Sequence, residues 1–320
     1  MNTRPLGSKA TRACLYREKF AMSYQELAGI HVTLSDGVAT VTIDNPPLNL
    51  ADATLLPSLR AFIARVRHDS DVRVVVFDSA DPDFFVAHGD MGFIIDPQTA
   101  AEAAGAAVAA VPDAAVPPTM NLMQVVHEEV RSLPQVTIGK LVGLARGGGN
   151  EFLMALDMRF AAIGKSGQAQ PETLMGILPG GGGTQYLTKL TGRARALELI
   201  LGGELVDAEL AAAYGLVNRA LPADELDDFV DTLARRIARL RPEIVAAVKT
   251  AVNAAAAPVT EEGLTIENEV LISLFTPDAA TLAQKLLTAG AQTREGERRL
   301  EEILNATLSE ATDGTRAGRP

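Results

Sequence analysis

The stretch TIGKLVGLARGGGNEFLMALDMRFAA occupies residues 137–162, and Gln170-Pro171-Glu172 follows it closely. It predicts a strand, a glycine triplet at residues 147–149, a helix with Glu151 near its start, a second strand, and a loop that ends in Glu172. Glycines let the backbone turn sharply and approach another molecule, and the first N–H groups of a helix lack partners within it. The pattern therefore indicates an oxyanion site, with N–H donors for developing negative charge and two carboxylates as general acid and base.

The composition favours a globular protein and argues against a nucleic-acid-binding, membrane or zinc protein. The chain has 320 residues, 47% of them hydrophobic, and a net charge of -11, which favours a globular protein and argues against nucleic acid or an anionic membrane as its main partner. A single cysteine excludes an intramolecular disulfide, and four scattered histidines lack the spacing of a zinc site. No apolar run reaches the ~18 residues of a membrane span. We therefore expect a cytoplasmic protein without metal or membrane partner.

The first half of the chain reads as an α/β unit. From Ile30 the residues alternate between apolar and polar on both sides of Ser35-Asp36-Gly37, which predicts a hairpin. Apolar residues then recur at helical spacing and are followed by the unbroken apolar run from Val72 to Phe77, so that a right-handed crossover is expected. The loop from Asp78 to Met91 leaves the carboxyl end of that strand, where open α/β sheets bind ligands.

The pattern divides the chain into four parts. We expect a disordered arm over residues 1–24, a core with the ligand site over 25–222, a helical oligomerisation region over 223–308, and a disordered tail over 309–320. Within the core, the Ala- and Pro-rich passage from Pro97 to Pro118 has few large apolar residues, and we interpret it as a surface insertion that packs loosely. The apolar faces of the later helices exceed the needs of one core, which favours an oligomer.

Five motifs, in order along the chain, resemble the enoyl-CoA hydratase/isomerase (crotonase) family from roughly Ile30 to Leu304. Asn45-Pro46-Pro47-Leu48-Asn49 is similar to the family's N-x-P-x-N turn, and Val72 to Asp90 is similar to its strand followed by F-S-A-G-A-D. The other three lie at Gly143 to Asp157 (G-x-A-x-G-G-G-x-E-x-x-x-x-x-D), Gln170 to Gln185 (Q-P-E followed by G-G-T-Q) and Gly192 to Pro222 (G-R-A through G-L-V-N).

The resemblance implies a crotonase-like spiral of strand-strand-helix turns with a C-terminal helical trimerisation region. It implies an acyl-CoA thioester as substrate, no separate cofactor because coenzyme A is part of that substrate, a place in fatty acid metabolism, and a homotrimer or homohexamer. By motif position the oxyanion donors are Gly89 and Gly148 and the catalytic acids are Glu151 and Glu172. The implied substrate-binding residues are Leu50, Ala87, His88, Asp90, Met91, Gly147, Pro171 and Gly180.

On this basis we expect a lyase that adds water to a 2-enoyl-CoA. Two alternatives remain: other chemistry through the same enolate, such as double-bond isomerisation, decarboxylation or C–C hydrolysis, and a non-catalytic oligomeric scaffold or acyl-CoA-binding protein. On the residues alone, without the resemblance, Glu151 is better explained as a helix-capping acid, and the alternative for Glu172 is a solvated loop acid.

The sequence also departs from the family pattern. His88 stands where the family has glycine and Gly89 where it has alanine, so that His88 is strained if the loop needs a positive φ there. Arg146 replaces an apolar residue; it has three candidate partners, namely a catalytic glutamate, a phosphate of coenzyme A, or solvent. Lys140 is expected on an outward or interface side of its strand. The passage from Asp96 to Arg131 is longer than the family usually has, so that the family pattern does not predict the roof of the acyl pocket.

Overall fold

The structure of this chain is a computed structural model that describes residues 24, 26–114, 116–117, 120–175 and 177–256, with isolated positions at 281, 285, 288–290 and 306. The predicted disordered arm up to residue 23, the predicted tail, and most of the predicted oligomerisation region lie outside the described residues. Contacts divide the chain into two compact units, residues 1–235 and residues 236–320.

Eight strands form the sheet of the first unit. They are β1 (Ile30–Ser35), β2 (Val38–Ile43), β3 (Val74–Ser79), β4 (Phe84–Val86), β5 (Val136–Arg146), β6 (Met158–Ala169), β7 (Val206–Asp207) and β8 (Arg219–Leu221). Their order is β1-β2-β3-β5-β6-β7, with β4 also on β5 and β8 also on β6. The predicted hairpin of β1 and β2 is confirmed, since Asp36 and Gly37 take φ of 51° and 83° in its turn.

The long strand β5 shows how the chain winds. Its first half pairs in parallel with β3, from Val74 opposite Val136, and its second half pairs in parallel with β4, where Phe84 lies opposite Leu144. Gly143 separates the halves at φ 76°, and a Cβ there would lie 2.5 Å from the backbone carbon of Asp83. Each winding of the spiral thus contributes two consecutive strand segments, such as β3 and β4 or the two halves of β5, before the helices that follow. This is the predicted strand-strand-helix spiral.

The helices follow the predicted order. They are α1 (Leu55–Val66), α2 (Gly92–Ile95), α3 (Pro97–Ala110), α4 (Leu122–Arg131), α5 (Gly148–Ala155), α6 (Gly183–Thr191), α7 (Arg193–Gly202), α8 (Ala208–Tyr214), α9 (Leu226–Ala238) and α10 (Pro242–Ala255), with a 3-10 turn at Glu172–Met175. α10 belongs to the second unit, begins at Pro242 and buries Val245. In the ranges given above, no helix is long and apolar enough to cross a membrane.

A line of aromatic rings ties the core to the site. Phe62 of α1 packs edge-on against Phe77 of β3 at 6.1 Å between ring centres, and Phe77 packs edge-on against Phe152 of α5 at 5.2 Å. All three rings are buried, so that they remove a large apolar area from water. The packing fixes α5 against the sheet and with it the helix end that carries Gly148.

The prediction of a loosely packed surface insertion from Pro97 to Pro118 is wrong for the first part of this passage, because that part forms the helix α3. Asp96 caps this helix by accepting a hydrogen bond from the N–H of Gln98 at 2.9 Å, and a proline begins its first turn. Ala103 and Ala107 are each 1% exposed. Alanine has the highest helix propensity, and its small side chain lets helices approach closely, so that burial here needs no large residues.

Lys140 lies between two carboxylates rather than on an outward face. Its ammonium is 3.0 Å from Asp78 of β3 and 2.8 Å from Asp227 of α9. Burial by itself lowers the pKa of Lys140, but the hydrogen bonds to Asp227 and Asp78 outweigh burial and raise that pKa. The lysine therefore fastens the start of α9 to the sheet.

Candidate active site

A cavity of about 600 Å³ opens between the loop that follows β4, the N-terminal end of α5 and the loop around Glu172, and α3 and α4 cover it. Ten of the predicted site residues line this cavity: His88, Gly89, Asp90, Met91, Gly147, Gly148, Glu151, Pro171, Glu172 and Gly180. Leu50 and Ala87 lie behind the wall, where the Leu50 carbonyl accepts from Asn45 and the Ala87 N–H donates to the Asn49 carbonyl. Within the described ranges, no three His, Cys, Asp or Glu side chains are grouped to hold a metal ion.

Two backbone N–H groups from different elements meet at one side of the cavity. Ala51 pairs with Gly89: the Ala51 N–H donates to the His88 carbonyl at 2.9 Å, and the Asp90 N–H donates to the Ala51 carbonyl at 3.1 Å. Because successive N–H groups of an extended chain alternate in direction, the Gly89 N–H points to the opposite side. A Cβ added to Gly148 would lie 3.4 Å from the Gly89 nitrogen, so the two glycines are neighbours.

Gly148 adds the electrostatics of a helix end. It is the first residue of α5, and its N–H is among those without a partner inside the helix. The aligned peptide dipoles place about half a positive charge there. Together with Gly89 it can therefore hold an oxygen atom on which negative charge develops.

Close contacts explain why the chain has glycine at these positions. Gly147 takes φ 48°, and a Cβ on it would lie 2.9 Å from Oε1 of Glu172. Met123 of α4 covers the donor pair, since its Sδ would be 2.9 Å from a Cβ on Gly148 and its Cε 2.6 Å from one on Gly89. Met123 was not predicted as a site residue because only the fold brings α4 to the glycines.

The loop at His88 is not strained. Asp36 and Asn49 are the non-glycine residues with positive φ in the described part of the chain, so His88 adopts an ordinary backbone conformation. Its Nδ1 lies 2.8 Å from the Gly89 carbonyl, a local hydrogen bond that leaves the Gly89 N–H unaffected. The shift of glycine by one position therefore preserves the donor pair.

Asn49 supports this loop from behind, a role that sequence reasoning missed. Its side-chain amide donates to Ser79 Oγ at 2.9 Å and to the Phe84 carbonyl at 3.3 Å, and its own carbonyl accepts from the Ala87 N–H at 3.2 Å. The last asparagine of the N-x-P-x-N turn therefore fixes the backbone that leads to Gly89. The motif itself was the signal, although its target was not evident.

Glu151 is held in a position that favours its protonated form. The side chain is 1% exposed, and Oε1 accepts from the N–H groups of Gly181 at 2.8 Å and Gly183 at 2.7 Å. Burial raises the pKa of Glu151 to about 7; the charge of Glu172 raises it as well, while the two N–H groups partly oppose the shift. The acid is thus poised to exchange a proton near neutral pH.

Glu172 faces the same cavity from the 3-10 turn. It is 9% exposed, its Oε1 accepts from Gln170 Nε2 at 3.3 Å, and its buried Oε2 has no hydrogen-bond partner among the described residues. Burial also raises the pKa of Glu172. Because the charge of Glu172 raises the pKa of Glu151, the two acids titrate as a pair that holds one proton over an intermediate pH range.

A chain of buried amides leads to Glu172. Gln168 Nε2 donates to Asn150 Oδ1 at 2.7 Å, Asn150 Nδ2 donates to Gln170 Oε1 at 2.8 Å, and Gln170 then donates to Glu172. Asn150 and Gln170 each accept at one end and donate at the other, so the chain has one direction and polarises toward the carboxylate. It fixes the position of Oε1.

His127 secures the loop that binds Glu151, and sequence reasoning missed this histidine too. Its Nδ1 lies 2.6 Å from the Gly181 carbonyl, which only accepts, so the proton is on Nδ1. Burial lowers the pKa of His127 to about 4, and the ring is therefore neutral at pH 7. Because the N–H of the same Gly181 donates to Glu151, His127 fixes the residue that binds the acid.

Arg146, the last residue of β5, lines the cavity beside Gly147 and is half-buried. In the described part of the chain its guanidinium forms no ion pair with Glu151 or Glu172. The first of its three predicted partners is therefore not observed, which leaves a phosphate or solvent.

A family model and several solved structures match this chain. The family model for enoyl-CoA hydratase/isomerase matches residues 33–288. A provisionally assigned enoyl-CoA hydratase of Streptomyces avermitilis is 45% identical, with 88% of this chain and 99% of that chain covered and a TM-score of 0.65.

Two further solved structures are similar. DspI of Pseudomonas aeruginosa is 30% identical over 77% of this chain and 95% of that chain, with a TM-score of 0.68. An enoyl-CoA hydratase of Bacillus anthracis is 27% identical over 81% and 96%, with a TM-score of 0.70. Since the family model spans well over half of the sequence and the spiral and the site motifs agree with it, the chain has the crotonase fold and belongs to the enoyl-CoA hydratase/isomerase family.

Proposed function

We propose that this protein is an enzyme that adds water across the double bond of a 2-enoyl-CoA thioester. The observation that carries the proposal is the presence of two buried acids with raised pKa, Glu151 and Glu172, on the same cavity as the N–H groups of Gly89 and Gly148. Enolate chemistry needs only the donor pair. Hydration also needs one group to accept a proton from water and another to give one to carbon, and both are present.

In the proposed reaction the thioester oxygen accepts hydrogen bonds from Gly89 and Gly148. The oxygen of a water molecule bonds to the β-carbon, its proton passes to the ionised carboxylate of the pair, and the π electrons move onto the thioester oxygen as an enolate. The protonated carboxyl of the pair then delivers its proton to the α-carbon. Glu151 is anchored through Oε1 and Glu172 through Oε1, so that each acid has its Oε2 for this exchange.

Incubation with crotonyl-CoA tests the proposal. We expect loss of the enoyl absorbance and a product heavier by one water in mass spectra. A panel of β,γ-enoyl, malonyl-type and β-diketone CoA thioesters should show slower or no conversion. Turnover of one of these with no hydration of any enoyl-CoA would identify the other enolate chemistry instead. Absence of binding heat with acyl-CoA at high micromolar concentration would favour a scaffold.

Replacing Asn150 with leucine should lower kcat for hydration by roughly tenfold with a smaller effect on KM, because the amide chain to Glu172 is interrupted while the donor pair stays. The acid limb of the pH profile should move upward, since the carboxylate of Glu172 loses support for its charged form. Gln185, an exposed amide on α6, offers the matched control in Gln185→Leu. A uniform loss of activity at every pH would show that Asn150 matters only for packing.

We also propose that the protein is a homotrimer or a homohexamer and that it acts in the cytoplasm, in fatty acid metabolism. Large apolar side chains are exposed on α7, on α8 and just before β7, which favours an oligomer: Leu197, Leu201, Leu205 and Leu210. Light scattering on the purified protein should give three or six times the chain mass of 33.7 kDa. A monomer at micromolar concentration would contradict this.

A further inference from the structure

We propose that the enzyme acts on medium-chain acyl groups, of about 8 to 12 carbons, and that alanines of α3 determine this length. The preferred chain length for turnover rests on the proposed function, whereas the preferred chain length for acyl-CoA binding does not depend on the reaction. It starts from the cavity, whose volume of about 600 Å³ is far larger than a four-carbon acyl group requires.

The apolar half of the cavity is built by the unusual insertion. α3 contributes one face of small residues to this lining, and Leu56 of α1 and Phe93 of α2 also line the cavity. The alanines of this face are Ala100, Ala101, Ala103, Ala104 and Ala107. A methyl side chain occupies the least space that still excludes water from the helix backbone, so this helix forms a wide apolar groove where larger residues would fill it.

The charged groups of the cavity are confined to the other half. Asp90, Arg146, Glu151 and Glu172 all lie at or next to the glycine donors or the acid pair, and Asp90 is engaged by the Gly92 N–H at 2.8 Å. No charged side chain from α3 or α4 lines the cavity. A hydrocarbon chain therefore fits the α3 side, whereas a chain with a terminal carboxylate or hydroxyl groups would lose its hydration there without compensation.

The cavity volume limits the length of the acyl chain that can bind. A methylene group occupies roughly the 30 Å³ of a water molecule, so the cavity holds about 20 groups of that size. The thioester and the adjoining end of the pantetheine arm take part of this space, and a chain of about ten carbons takes the remainder. Because each buried methylene improves binding up to roughly fourfold, a four-carbon substrate would leave much of the available affinity unused.

The test compares trans-2-enoyl-CoA thioesters of 4, 10 and 16 carbons. We expect kcat/KM for the ten-carbon substrate to exceed that for four carbons by at least ~10-fold, with sixteen carbons again lower. Ala104→Phe, which projects a ring into the groove, should reduce the ratio of the ten-carbon to the four-carbon value by at least ~10-fold. Ala106→Phe on the exposed face of the same helix is the matched control and should leave that ratio within about twofold.

Calorimetry with saturated butyryl-CoA and decanoyl-CoA separates this inference from the proposed reaction. If no enoyl-CoA is hydrated but decanoyl-CoA binds at least tenfold more tightly than butyryl-CoA, the reaction is wrong and the chain length stands. Equal affinity for the two thioesters, or kcat/KM highest at four carbons, overturns the inference. If Ala104→Phe fails to fold, the parent protein's ratios alone decide.

Discussion

Replacing Glu151 with glutamine should lower kcat/KM for hydration by a factor of about 10² to 10⁴ and at the same time stabilise the folded protein above neutral pH. The activity is lost because glutamine cannot exchange a proton with water. The geometry is kept because its side-chain carbonyl can still accept from the N–H groups of Gly181 and Gly183, as Oε1 does in the parent.

The gain in stability follows from the sign of the pKa shift. Burial first, and then the charge of Glu172, raise the folded-state pKa of Glu151 from 4.5 to about 7. The folded state therefore holds this proton more tightly than the unfolded state does. Its contribution to stability is complete below pH 4.5 and is lost as the pH rises toward 7, so that the ionised acid costs about 1 to 3 kcal/mol of unfolding free energy at pH 8.

Urea unfolding at pH 5 and pH 8 measures this directly. The drop in unfolding free energy between the two values should be smaller in Glu151→Gln than in the parent by about 1 to 3 kcal/mol. Glu102→Gln, at an exposed position of α3, is the control and should change neither the drop nor the rate. Hydration by Glu151→Gln at the parent rate would remove this acid from the mechanism, and an unchanged drop would show that its charge is not the destabilising group.

The sequence was informative where the chain must satisfy backbone geometry. Gly143 and Gly147 lie at positive φ, where other residues are strained, and the strands and helices on either side of them were predictable from apolar periodicity. The position of Glu151 and Glu172 on one cavity was predictable because both residues lie a few residues after glycine turns or strand ends. A motif whose residues are close in sequence largely determines how those residues are arranged in space.

The remainder depends on contacts between distant parts of the chain. His127 contacts Gly181, 54 residues away, and its helix shows only an ordinary amphipathic pattern in sequence. The sequence of α3 indicates a loose insertion, because alanine side chains are too small to signal a packed apolar face. Its packing is evident only when the partner surface is known, since neither hydrophobicity nor periodicity reports how closely two helices approach.

Arg60 is the clearest case of such a hidden contact. It stands in α1 between residues of the apolar face, yet it is 0% exposed, and its guanidinium contacts two helices and the loop between them. Nε donates to Glu129 of α4 at 3.0 Å, Nη1 donates to the Ala107 carbonyl of α3 at 2.7 Å, and Nη2 donates to the Ala114 carbonyl at 3.3 Å. One side chain thus joins α1 to both helices that cover the cavity.

Replacing Arg60 with methionine should therefore lower the unfolding free energy by about 3 kcal/mol. Methionine fills much of the volume but leaves two carbonyls and Glu129 without their donor, and the cost of such groups is the loss of solvation rather than of a contact. The estimate is at the lower end of the usual range because Glu129 is 24% exposed and can recover some water. Urea unfolding at pH 7 is the measurement, with Arg193→Met on the exposed face of α7 as control.

The double variant Arg60→Met with Glu129→Leu measures how much of the lost unfolding free energy comes from the unpaired charge of Glu129. Because it removes both partners of the ion pair, its unfolding free energy should exceed that of Arg60→Met by about 1 to 2 kcal/mol. The single variant should also bind decanoyl-CoA less tightly in greater proportion than butyryl-CoA, since the end of α3 loses its anchor while the glycine donors keep theirs. If Arg60→Met unfolds at the parent's urea midpoint, the guanidinium does not hold the roof. If it is destabilised but keeps the parent's ratio of affinities, Arg60 stabilises the fold without shaping the acyl pocket.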